Sequence, residues 1–82
     1  MVSAWVVEVL SDDTQVARGL YAFVQLPAMG DRLTFPNDAG KLDVLGVVQI
    51  AHSPARIEPG APLDKEPLAT VYVQWVAEED VR

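Results

Sequence analysis

The 82-residue sequence has no cysteine, a single histidine, no run of basic residues and no uncharged stretch longer than twelve residues. Each shortage closes a route. Without thiols there is no disulfide staple, no thiolate metal site and no cysteine nucleophile. Small secreted domains often need such staples, so a cytoplasmic location is the expectation. The longest uncharged stretches, Gly19 to Gly30 and Val44 to Ala55, fall well short of the roughly 20 residues that a membrane helix requires. Met1 to Val7 has no basic lead-in, and Glu8 interrupts the apolar run, so no signal peptide is expected. A soluble protein that does not engage a membrane is therefore expected.

Six basic residues face twelve acidic ones, for a net charge of −6. Arg18, Lys41, Arg56, Lys65 and Arg82 are scattered, and Arg32 directly follows Asp31. Phosphate backbones are bound by clustered cations that release counterions, so nucleic acid is disfavoured as a partner. Gly40-Lys41 is not a phosphate-binding loop. Phe35 stands where that motif needs its first glycine, and Leu42 where it needs Ser or Thr.

What is present is apolar. Half of the residues are hydrophobic and 22% are charged, a balance that favours a folded core over disorder. The length fits one domain spanning residues 1–82. A chain of this size buries only about 60% of the surface it exposes when unfolded. Accessible apolar surface is expected to remain, for an unknown protein partner or a homodimer.

Five segments read as strands. Residues 2–10 alternate Trp5, Val7 and Val9 against Ala4, Val6, Glu8 and Leu10. A turn at Ser11-Asp12-Asp13-Thr14 leads into Thr14 to Leu26, which reads as a strand. Its alternative is a helix over residues 12–24, started by the acidic residues and carried by Val16, Leu20, Phe23 and Val24. Gly19 would cost such a helix about 1 kcal/mol. Arg32 to Phe35 and Leu42 to Ala51 follow, separated by the turn Pro36 to Lys41. In the second of these, Leu42, Val44, Val48 and Ile50 are expected on one face, with Gly46 marking a bulge or close approach. His52 to Pro67 holds four of the six prolines and reads as an irregular crossover. Leu68 to Ala77 closes the fold, with Ala69, Val71, Val73 and Trp75 on one face, and residues 78–82 read as a frayed tail. The fold class is all-β: a small five-stranded curled sheet or barrel, SH3-like or OB-like, with α+β as the alternative if residues 12–24 are helical.

No catalytic constellation emerges. His52 has the pKa range of a general base or metal ligand, but the adjacent Ser53 would point to the opposite face of a strand. Asn37-Asp38-Ala39-Gly40 faintly resembles a calcium loop, without its alternating ligands or terminal Glu. Turn carboxylates account for Asp12, Asp13, Asp31 and Asp38, and neither a metal nor a cofactor is expected. The aromatics carry the clearest signal. Trp5, Phe23 and Trp75 are expected to fill the core, with the tyrosines at its margin. Exposed aromatics on small barrels form grooves for peptides or stack on bases. The Pro59-Gly60-Ala61-Pro62 spacing fits a stiff crossover and also the pattern of a groove ligand.

The expected function is thus a non-enzymatic protein-interaction module binding through an aromatic, apolar face, with Tyr72, Trp75, His52 and Tyr21 as candidate binding residues. A single-stranded nucleic-acid binding barrel is the alternative, and a small metal-dependent enzyme comes third.

Overall fold

The computed structural model describes residues 1–54, 59–60 and 68–80, all of them strand, turn or irregular chain. The five strands are β1 (Val2–Val9), β2 (Gln15–Phe23), β3 (Arg32–Pro36), β4 (Lys41–Ser53) and β5 (Leu68–Asp80). They form one mixed sheet in the order β2-β1-β5-β4-β3. First and last strands meet at its centre as a parallel pair, and every other pairing is antiparallel.

That central pairing follows from small and β-branched residues in register. Ala4 lies opposite Ala69, Val6 opposite Val71 and Glu8 opposite Val73. On the other side of β5, Val47 faces Val73 and Ile50 faces Val71. Ala4, Val6, Leu45, Val47, Ala69, Val71 and Val73 form the buried core, and Tyr21, Phe23, Leu26, Leu33, Phe35 and Ile50 pack against it.

The segment after the first turn is strand rather than helix, and Gly19 sits at a bulge within it. Val6 pairs with Gly19 while Val7 pairs with Ala17, leaving Arg18 as an extra residue in β2. Gly19 takes φ +124°, a conformation open to glycine and strained for other residues. The preceding acids do not start a helix. Leu10 N–H donates to Thr14 O at 2.8 Å, Asp13 N–H donates to Leu10 O at 2.9 Å, and Asp13 sits at φ 66°. They close a hairpin.

Two further bulges act on the long β4–β5 ladder. Val48 is an extra residue between the Val47↔Val73 and Gln49↔Tyr72 pairs, and Val76 between Leu45↔Trp75 and Val44↔Ala77. The expected single stripe of Leu42, Val44, Val48 and Ile50 is therefore split, with Val44 buried and Ile50 packed against the core while Val48 is not. Leu45 and Val47 face the core, the bulge resets the alternation to Ile50, and Val48 is exposed. Gly46 marks no close backbone approach: a Cβ there would meet only the Val76 Cγ2 methyl, at an ordinary contact distance of 3.4 Å. The expected tail is also shorter than anticipated. Glu78 to Asp80 belong to β5, where Asp80 lies opposite Lys41 and Lys41 Nζ sits 3.8 Å from Glu78 and 3.6 Å from Asp80.

His52 and Ser53 extend β4 into the region expected to be irregular. The backbone keeps pairing there, with His52 opposite Ala69 and Ser53 opposite Leu68. Pro59-Gly60 forms a turn. Residues 55–58 and 61–67, and with them most of the proline-rich crossover, lie outside the described residues.

Bulges increase twist and bend the strands that carry them, so the sheet curls. It does not close into a barrel, because no backbone ladder joins β2 to β3. Side chains bridge those two edges instead. Tyr21 of β2 meets Phe35 of β3 edge to face, with ring centroids 5.1 Å apart. The Arg18 guanidinium lies over Phe35 at 4.9 Å. It also reaches Glu8 of β1 at 3.2 Å and Asp43 of β4 at 3.6 Å. Tyr21 Oη donates to the Arg18 carbonyl at 3.2 Å.

Gly19→Ala is expected to lower stability by about 1–3 kcal/mol, the range for a side chain forced into a rare backbone conformation. A fall in the urea midpoint at unchanged m checks it. Arg18→Met would leave the Glu8 carboxylate, only 15% exposed, without its partner, and leave Asp43, 23% exposed, with the Asn37 amide alone. A loss of about 1–3 kcal/mol is expected, with Arg18→Lys costing less because it keeps the charge but not the planar fork. Thermal denaturation of the three proteins tests the order.

Candidate functional site

The central ladder ends before its strands do. β1 and β5 pair as far as Glu8↔Val73. Beyond that point β1 turns away into the Ser11 hairpin, while β5 stays on β4 as far as Asp80. The divergence opens a cleft of about 510 Å³ lined by Glu8, Val9, Leu10, Ser11, Gln74 and Trp75. Trp75 is 57% exposed and Leu10 37%.

Alternation explains why Trp75 faces this space. It follows Val73 by two residues with the register unbroken, so it stands on the core side of the sheet beside Leu45. There the core has run out, and the indole is left without a roof. The cleft's one carboxylate, Glu8, accepts a hydrogen bond from Arg18 Nε at 3.2 Å and is thereby paired. What remains to meet a ligand is an apolar wall of Val9, Leu10 and Trp75, with Ser11 and Gln74 as hydrogen-bonding groups. The volume lies within the range for sites that bury small molecules or several side chains.

The candidate residues do not converge. Trp75 lines this cleft. Tyr72 alternates with the buried Val71 and Val73 and so stands on the opposite face, half-buried. Tyr21 is part of the core margin. His52 is exposed at the far end of β4 and lines a separate cleft of about 250 Å³ with Val2, Leu26, Leu68 and others. A shared surface for all four is not what the fold builds.

The expected placement of the tryptophans is corrected as well. Both are exposed, Trp5 by 44%. Because Ala4 and Val6 face the core, Trp5 must face away from it. On that outer side it sits opposite Leu20 of β2 and Thr70 of β5. Leu10 and Leu20 were not singled out by sequence reasoning. Leu10, an apolar residue placed immediately before a Ser-Asp-Asp turn, carried the signal that could have marked the cleft.

The faint calcium loop has another use for its amide. Asn37 Oδ1 accepts from the backbone N–H groups of Ala39 and Lys41, and Nδ2 donates to Asp43 at 3.0 Å and Glu78 at 2.8 Å. Among the described residues no three histidine or acidic side chains converge to hold a metal ion, and no helix is long and apolar enough to cross a membrane. Comparison with known protein families, with curated proteins and with solved structures finds no match.

The hairpin that shapes the cleft is held by Asp12, whose carboxylate accepts from Thr14 N–H at 3.0 Å. Hydrogen bonds from the Thr14 side chain and backbone hold its pKa below the ordinary 3.8. A lowered pKa stabilises the fold above the unfolded value, and that contribution is lost as pH falls through the folded value. The stability gap between the wild type and Asp12→Ala is thus expected to be constant near neutral pH and to close below about pH 3.8. Melting temperatures across an acid series would show it.

Proposed function

We propose that this domain is a non-enzymatic interaction module of the cell interior, and that the Trp75 cleft receives apolar side chains from a protein partner. One observation carries this reading. Among the described residues a core cluster of only seven buried residues leaves both tryptophans exposed, one of them lining a preformed cleft. Large aromatics are the residues whose burial contributes most to association, and they are placed on a surface at a cost in solubility. The absence of cysteine fits a reducing compartment.

A partner presenting Leu, Met or aromatic side chains on an extended segment suits the cleft best. Val9, Leu10 and Trp75 supply the apolar contact, while Gln74 and Ser11 can hydrogen-bond the segment's backbone. Of the cations among the described residues, Arg18 and Lys41 are engaged by carboxylates and lend a nucleic-acid reading no support. A cofactor or metal gains nothing from the cleft either.

The test is affinity isolation from source cells after nuclease treatment, comparing the wild type with Trp75→Ala. The reading expects a stoichiometric protein partner whose dissociation constant rises about tenfold or more in the variant, the usual size of a lost aromatic anchor. A partner retained equally by Trp75→Ala would move the binding surface elsewhere. Partners lost on nuclease treatment would replace the reading with the nucleic-acid one.

A further inference from the structure

An open sheet has two edges, and here they are not alike. β3 is five residues long, begins at Arg32 and ends at Pro36, features that discourage pairing with another strand. β2 is nine residues long and contains neither proline nor lysine. Its only charged residue, Arg18, is turned over the core and held by Glu8 and Asp43. Among the described residues β2 is hydrogen-bonded to β1 alone, and no other backbone group reaches its free side. Its solvent-facing residues beyond the bulge, Leu20 and Ala22, are both exposed and apolar.

We propose that β2 pairs with β2 of a second copy of this chain, so that two sheets join into one continuous antiparallel sheet across a two-fold axis. The second copy is favoured over a foreign strand because an antiparallel edge is its own complement under a two-fold rotation. Charge points the same way. The chain carries −6 overall, yet residues 15–23 include no carboxylate, so this edge can meet its own mate without repulsion. The bulge at Arg18 and Gly19 bends the first half of the strand, which places the seam on Leu20 to Phe23. Alternation then limits the register. Outer-face residues must lie opposite outer-face residues, which allows an axis at Leu20, Tyr21 or Ala22; centred on Tyr21, each Leu20 faces the mate's Ala22. Leu20 with its neighbour Trp5, exposed by 53% and 44% in the single chain, would then lie beside the same pair from the second copy. The Trp75 cleft takes no part, so this proposal and the functional reading can fail separately.

Sedimentation equilibrium of the purified full chain over a concentration series tests it. A reversible species of twice the 8.9 kDa chain mass is expected. Leu20→Lys with Ala22→Lys puts four ammonium groups at the seam and is expected to weaken association about a hundredfold or more, whereas Trp75→Ala leaves it unchanged. Amide hydrogen exchange of the wild type supplies a measurement that needs no variant. Protection of residues 20–23 should rise with protein concentration, and that of residues 32–36 should not. A monomer at roughly 0.5 mM, a dimer that survives the double variant while still folded, or concentration-dependent protection at β3 in place of β2 would overturn the proposal.

Discussion

The curl that the bulges impose is bridged across its concave face by one side chain, the guanidinium of Arg18. A single sheet with no helix against it among the described residues has its own concavity in which to bury a core, and that concavity must be held. Arg18 leaves β2 at a bulge and spans the concave face, touching β1 through Glu8, β3 through Phe35 and β4 through Asp43. It uses the properties that separate arginine from lysine: a planar fork for two carboxylates and a flat cation for an aromatic face. Tyr21 adds an edge-to-face contact with the same Phe35. Together they do with side chains what a barrel does with a backbone ladder.

Closing the curl in this way leaves a characteristic surface. The core stays small and rich in Val and Ala, because an open arc encloses less volume than a closed barrel. Apolar residues in excess of that volume remain outside, among them Trp5 and Leu20 on the convex side and Trp75 where the central ladder ends. The two open edges persist, and they differ in how they are guarded. Both features follow from incomplete closure: the cleft exists because β1 and β5 part company, and the open edge because, among the described residues, β2 pairs with β1 alone.

Much of the fold was legible in the residues. All five strands lie where alternation and turn chemistry placed them, and the Ala69, Val71 and Val73 face packs into the core as their spacing implied. Gly19 weighed against a helix, and it sits at a bulge with positive φ. What escaped were the places where alternation slips. The extra residues Val48 and Val76 reset which side chains face inward, and a period-two reading that runs straight through a bulge assigns everything beyond it to the wrong face. The candidate site was less legible still. Trp75 was marked for being aromatic, but Tyr72, Tyr21 and His52 share no surface with it, because strand position alone does not say which faces converge.

By itself, then, the sequence determined the class of structure and its chemical limits. Local propensity and solvent partition are properties of short segments, so a strand-rich chain with no cysteine and no run of basic residues could be read directly. The parallel meeting of the first and last strands, the three bulges, the Arg18 bridge and the exposure of both tryptophans were decided only in three dimensions. Each depends on contacts between residues far apart in the chain, where small differences in packing choose among registers that the local pattern leaves equally acceptable.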